Sequence, residues 1–201
     1  MDSLTSQFEY NFHLEPLDQS HTQGLINASS DPRIWTYSSL LGDPGPHQIT
    51  AWLAHAFAEN ATQTSQVWVV VRKSDRKIVG SSRFYQIAPE HKRLAIGFTW
   101  FSPEVWGTSA NPEVKLLMLT HAFETLQYHR VEFHVDSRNL RSMAALKKLD
   151  VQPEGILRHH MIIQDGYVRD TVVHSVIHPE WSHVRQTLWE TLKKKEAQAK
   201  E

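Results

Sequence analysis

Between Glu104 and Asn111 the chain reads Glu-Val-Trp-Gly-Thr-Ser-Ala-Asn, and the small residues from Gly107 to Ala110 let the backbone turn tightly with its amides accessible. A helix start follows. Asn111 suits the N-cap, Pro112 the first helical position and Glu113 the positive helix end. Peptide N–H groups at the head of a long helix attract anions, and a diphosphate is the natural occupant. The Gly-Lys-Ser/Thr ending of a P-loop is missing, as is the glycine triplet of a dinucleotide fingerprint. A plain tight connection would use the same small residues.

A second group of residues could move protons. Arg130 to Val135 alternates strictly, so Val131, Phe133 and Val135 face one side of a strand and Glu132 and His134 the other. Either polar residue could take a proton through water, or simply be a polar group on a partly wet sheet. Arg83 could hold an acceptor carboxylate bidentately, with Tyr85 beside it. Trp35 and Tyr37 could wall an acceptor pocket, though aromatic residues most often just pack.

Other chemistries are excluded or unsupported. The absence of cysteine removes disulfides, thiolate zinc sites, iron–sulfur clusters and cysteine nucleophiles. His159 and His160 are adjacent and would point to opposite strand faces, a poor chelating pair, and no HExxH is present; no metal is expected. No Gly-x-Ser-x-Gly elbow marks a hydrolase. Lys plus Arg is 21 against 22 Asp plus Glu, a net charge of −1, too little field to hold nucleic acid.

These residues need elements to position them. Residues 10–17 alternate as a first strand, 18–29 and 47–59 read as helices, and the Gly/Pro-rich run 41–46 as a surface loop. VWVVV at 67–71 and Ile78 to Phe84 read as a hairpin, and Leu94 to Phe101 as the next strand. The helix after the small-residue loop carries the row Leu116, Leu119, Phe123 and Leu126, widened by Val114, Leu117, Met118 and Ala122, so it packs deeply on a sheet. Asn139 can cap a short helix to about Leu149. Strands over 156–163 and 168–177 follow, joined by an Asp165-Gly166 turn signal. Residues 190–201 show no apolar face and are expected to fray as a charged tail. The 201 residues, with no repeat and no linker, fit one mixed α/β domain with a core over about 10–181. No signal peptide and no bilayer-length apolar run is found, so a soluble, cytoplasmic protein with no membrane partner is expected.

Three separated stretches carry a resemblance. They are GFTWFSPEVWGTSANPEVKLLMLTHAFE at 97–124, VEFHVDSRNLRSMAALKKLDVQPEGILRHHM at 131–161 and DGYVRDTVVHSVI at 165–177. Together, from Leu14 to about Trp181, they resemble the GNAT superfamily of acetyl-coenzyme A-dependent N-acetyltransferases, nearest the branch of ribosomal-protein N-terminal acetyltransferases. The resemblance implies a GNAT-like fold: a central, mostly antiparallel twisted sheet with a splayed strand pair, flanked by helices. It implies acetyl-CoA as cosubstrate, an amine acceptor such as a protein N-terminus or small amine, and a monomer or homodimer.

Residue by residue, the family's Arg/Gln-x-x-Gly-x-Gly/Ala loop falls on Trp106, Gly107, Thr108, Ser109, Ala110 and Asn111, with Trp106, Ser109 and Asn111 departing from it. Glu113 would repel the bound anion, and Lys115 would offset it or be a solvated helix residue. Strand amides from Thr99 through Trp100 and Phe101 to Ser102 would bind pantetheine and the developing oxyanion. The family's Asn-x-x-Ala/Ser falls on Asn139 and Ser142, and Asn139 would steady the pantetheine arm. The family tyrosine that protonates the departing thiolate falls on Leu146, which cannot, leaving Ser142 as candidate acid. Asp150 stands where the family ends that helix in glycine. The implied reaction is direct attack of the amine in a ternary complex. Its rival is a noncatalytic acyl-CoA sensor or scaffold that keeps the fold.

Overall fold

The structure, a computed structural model, describes residues 9–38, 47–163 and 166–199. Seven strands form one sheet in the order β1-β2-β3-β4-β5-β7-β6. They are β1 (Phe12–Pro16), β2 (Ser65–Arg72), β3 (Ile78–Ala88), β4 (Arg93–Phe101), β5 (Arg130–Asp136), β6 (Gln152–Ile162) and β7 (Val168–Ile177). Every neighbouring pair is antiparallel except β4 and β5. That parallel pair holds register only at Arg93–Arg130, Leu94–Val131 and Ala95–Glu132. Beyond it β4 continues to Phe101 on β3 alone and β5 to Asp136 on β7 alone, so the two strands splay and open the middle of the sheet.

A bulge accompanies the splay. Ser81 pairs with Trp100 and Arg83 with Gly97, so β4 carries one extra residue there, and Phe98 takes φ +50°. Gly97 is fixed by close approach: a Cβ on it would lie 2.7 Å from the Tyr85 ring.

Helices cover both faces. α1 (Thr22–Ala28) and α2 (Gln48–Ala61) bury Leu25, Trp52 and Leu53 with Trp35 and Trp100 on one side. On the other lie α3 (Ala110–Thr120), which widens into a π-turn over His121–Thr125, α4 (Leu140–Lys147) and α5 (Trp181–Ala199). The expected α3 row is inside, with Leu116, Leu119 and Phe123 buried alongside Val131, Phe133 and Val135 of β5.

Three expectations need correction. Residues 190–199 are not a frayed tail but the second half of α5. Val184, Leu188 and Leu192, four apart, continue the stripe that Trp181 begins, and Leu192 is fully buried. A reading that begins at residue 190 cuts that stripe. α3 begins at Ala110 after Ser109, so Asn111 and Pro112 are inside its first turn. β6 starts at Gln152, earlier than its apolar residues announce, and is exposed along nearly its whole length. The loop at 41–46 and Asp165 lie outside the described residues.

Candidate active site

The splay separates two kinds of chemistry. At one end, the loop from Trp106 to Ser109 leads into α3. Gly107 takes φ +78°, a conformation glycine holds without strain, while a Cβ there would meet nothing, so the requirement is conformational. The N–H groups of Gly107 and Ser109 have no hydrogen-bond partner among the described residues. Thr108 braces the turn: its hydroxyl donates to the Val105 carbonyl at 2.7 Å and accepts from the Ala110 amide at 3.2 Å.

Trp106 is held by its indole N–H, which donates to the Phe101 carbonyl at 2.7 Å. Two guanidinium groups lie over its ring, Arg141 at 4.7 Å and Arg33 at 5.0 Å. The position expected to lack a basic group therefore collects two from elsewhere.

Glu113 does not face this loop. Its carboxylate is fully buried and turned toward β1. There it accepts from the Asn11 amide at 2.8 Å, the Asn11 side chain at 2.9 Å and the Phe12 amide at 3.1 Å. The expected repulsion of an anion is replaced by a clamp between α3 and β1. Two strand groups near the splay are also spoken for: the Ser102 amide donates to the Val79 carbonyl at 2.8 Å, and the Phe101 carbonyl takes Trp106. Trp100 is buried between Trp35 and Trp52, both 5.8 Å away.

Lys115 is neither beside the loop amides nor a solvated helix residue. It is half-buried with its ammonium 4.8 Å from the centre of the Phe133 ring, and burial pushes it down to about 8 from an ordinary 10.5. The unfolded chain keeps that proton to higher pH than the folded one. Between those two values the unfolded state binds more protons, and stability rises with pH, by at most ~1.4 kcal/mol per unit. Lys115→Met is expected to flatten this slope. Urea unfolding of both proteins across the alkaline range checks it, and parallel curves would remove the lysine as its source.

The other face of the splay carries a polar row. His134 Nε2 lies 2.9 Å from Glu132 Oε2, while the other oxygen of Glu132 accepts from Arg130 Nε, also at 2.9 Å. Arg130 is gripped in turn by Glu154, which accepts the Ser175 hydroxyl at 2.7 Å. Burial pushes the Glu132 carboxyl up, but Arg130 and His134 outweigh it and hold the group below the ordinary carboxylate range. The Arg130 bond holds Glu154 down at about 2. With the carboxylate on Nε2, the favoured tautomer leaves the Nδ1 lone pair of His134 free to take a proton.

Around this pair stand Tyr85, edge-on to His134 at 5.9 Å and to Phe98 at 5.2 Å, and His160, 6.5 Å from His134. Burial drives the Tyr85 phenol far above its usual value, so it stays protonated. Arg169, nearly buried, donates to the His134 carbonyl at 3.2 Å, and its Nε has no partner among the described residues. Arg138 pairs bidentately with Asp136 at 3.0 and 2.8 Å and stacks on Tyr167 at 3.5 Å, with Tyr37 at 5.9 Å.

The fold thus brings Glu132, His134 and Tyr85 together, with Tyr37 at the margin. It does not bring Arg83 or Trp35 to the open face. Arg83 is sealed between the Trp52 and Phe98 rings and tied to Glu59 at 2.7 Å, and Trp35 is a core residue whose indole donates to the Ser29 carbonyl. Asn139 caps α4, accepting the Ser142 amide at 3.0 Å. The Ser142 hydroxyl has no partner among the described residues, and Leu146, one turn on, is core. Arg138, His160 and Arg169 escaped sequence reading. The one signal was Asp136-Ser137-Arg138, a carboxylate and a guanidinium two residues apart at a strand end.

Residues 11–152 match the family of the acetyltransferase (GNAT) domain. The uncharacterized N-acetyltransferase YoaA of Bacillus subtilis (strain 168) is 31% identical over 112 residues, 56% of this chain and 62% of YoaA, so the match spans under two thirds of that relative. The crystal structure of a GCN5-related N-acetyltransferase from Brucella melitensis superposes with TM-score 0.81 at 27% identity, covering 92% of this chain and 84% of that one. Spermidine N-acetyltransferase from Vibrio cholerae, solved with CoA and spermine, shares the fold at TM-score 0.71 and 16% identity, covering 86% and 98%. The opened β4–β5 pair, the amide-bearing loop before α3 and these matches agree: the chain belongs to the GNAT acetyltransferase family.

Proposed function

We propose that this protein transfers the acetyl group of acetyl-CoA to a primary amine by direct attack, with both reactants bound together. The observation that carries the reading is the splay itself. At one end are loop amides at Gly107 and Ser109 without partners among the described residues, and on the opposite face is the Glu132–His134 pair. The donor loop and the residues present fit the coenzyme: free N–H groups at a helix start suit a diphosphate, and Arg141 adds charge. The thioester supplies an activated acetyl group; the protein supplies position and proton control.

An amine reaches the site protonated at neutral pH and must lose a proton before it can attack. His134 Nδ1 takes that proton, directly or through water, while Glu132 stabilises the resulting imidazolium. The Ser142 hydroxyl, uncommitted on the first turn of α4, gives a hydrogen bond or proton to the departing sulfur. The buried Leu146 closes the usual alternative on that helix face.

Coenzyme A release measured across amines, amino sugars and peptide N-termini tests the function. Coenzyme binding with turnover on none of them would favour the noncatalytic sensor. Ser142→Ala is expected to lower kcat about tenfold with coenzyme Kd unchanged, a loss at the low end for general acids. Wild-type kcat in that variant would remove Ser142 from the reaction.

A further inference from the structure

We infer that the coenzyme's 3′-phosphate is held by lysines of α5 and of the end of α4: Lys148, Lys194 and Lys195. The inference rests on the proposed coenzyme binding and adds to it a site built by the C-terminal helix, beyond the family-matched residues 11–152. Lys195 Nζ donates to the Gly107 carbonyl, joining α5 to the loop that would carry the diphosphate. Beside it a cleft of about 330 Å³ is lined by Lys148, Thr187, Thr191, Lys194, Lys195 and Glu190.

What marks the cleft is position: three cations without an ion-pair partner among the described residues, Lys148, Lys194 and Lys195, line it beside the loop. Glu190, the one carboxylate in the lining, accepts from Gln186 at 3.0 Å. Like charges collected without counter-ions repel one another, and a multiply charged anion relieves that repulsion. Lysine meets phosphate as a compact, mobile point charge, and the threonine hydroxyls can add hydrogen bonds. A diphosphate alone would be served by the loop amides and Arg141. The lysines line a separate cleft beside that loop and suit a further dianion, which is what a phosphomonoester supplies.

Calorimetric titration with CoA and with 3′-dephospho-CoA tests this. Two or three exposed charge contacts are worth about tenfold in affinity, so the wild-type protein is expected to bind CoA about tenfold tighter than the dephospho form, the gap shrinking with added salt. K148Q/K194Q, which leaves the Lys195–Gly107 bond in place, is expected to shrink that gap to about threefold or less while keeping the wild-type affinity for 3′-dephospho-CoA. That retained affinity also shows that the variant is folded. Equal wild-type affinities, or a gap preserved in the double variant, would overturn the lysine site while leaving the acetyltransferase reading standing. Failure of the wild-type protein to bind either ligand would overturn both.

Discussion

His134→Ala is expected to lower kcat by a factor on the order of 100 to 10,000, the usual yield of a positioned general base, with coenzyme Kd unchanged. The reason is geometric. Glu132, itself fixed by Arg130, occupies Nε2 of the imidazole and leaves Nδ1 as the acceptor, on the same sheet face as Tyr85 and His160. Glu132→Gln keeps the shape but removes the charge that steadies the imidazolium, so it should cost less, about tenfold. Steady-state kinetics on the best amine from the acceptor survey, with coenzyme affinity measured separately, check both. If the alanine variant keeps a kcat within threefold of wild type, the proton passes elsewhere, and Tyr85 or a water becomes the next candidate.

What sequence could and could not show follows from which forces are local. The alternation Val131-Glu132-Phe133-His134-Val135 set burial face by face, because side-chain direction in a strand is fixed by the backbone, and the structure keeps it. Asn139 capping α4 is likewise a contact three residues long. Glu113 went the other way. At a helix start its charge reads as an influence on the loop beside it, but its partners are Asn11 and Phe12, a hundred residues earlier. Arg33 and Arg141 meet on Trp106 from two different elements, so no local spacing announces them. Arg83 failed for a related reason: its guanidinium suits an acceptor carboxylate, but only tertiary packing decides that α2 closes over that part of the sheet.

Burial of Arg83 leads to the largest stability effect expected in this chain. Its guanidinium has no exposed surface, lies 5.1 Å from the Trp52 ring and 4.3 Å from the Phe98 ring, and has one carboxylate partner among the described residues, Glu59 at 2.7 Å. Its Nε and Nη2 atoms are buried without partners among the described residues. Burial pulls the guanidinium below its ordinary value and Glu59 pulls it back, with burial prevailing. Glu59→Ala would leave a buried cation facing rings and His55 alone, and the Ser65 hydroxyl would lose its acceptor as well. Breaking such a pair costs about 3–5 kcal/mol, and the partial exposure of Glu59 places this one at the lower end, ~3 kcal/mol. Removing both charges should cost less than removing Glu59 alone, so Glu59→Ala combined with Arg83→Leu is expected to recover part of the loss. Urea unfolding of the wild type, Glu59→Ala and the double variant measures this. A Glu59→Ala loss under about 1 kcal/mol would mean that water reaches Arg83. Phe98 is the bulge residue at the splay, so the same variant should also slow turnover by freeing the ring against which Tyr85 is set.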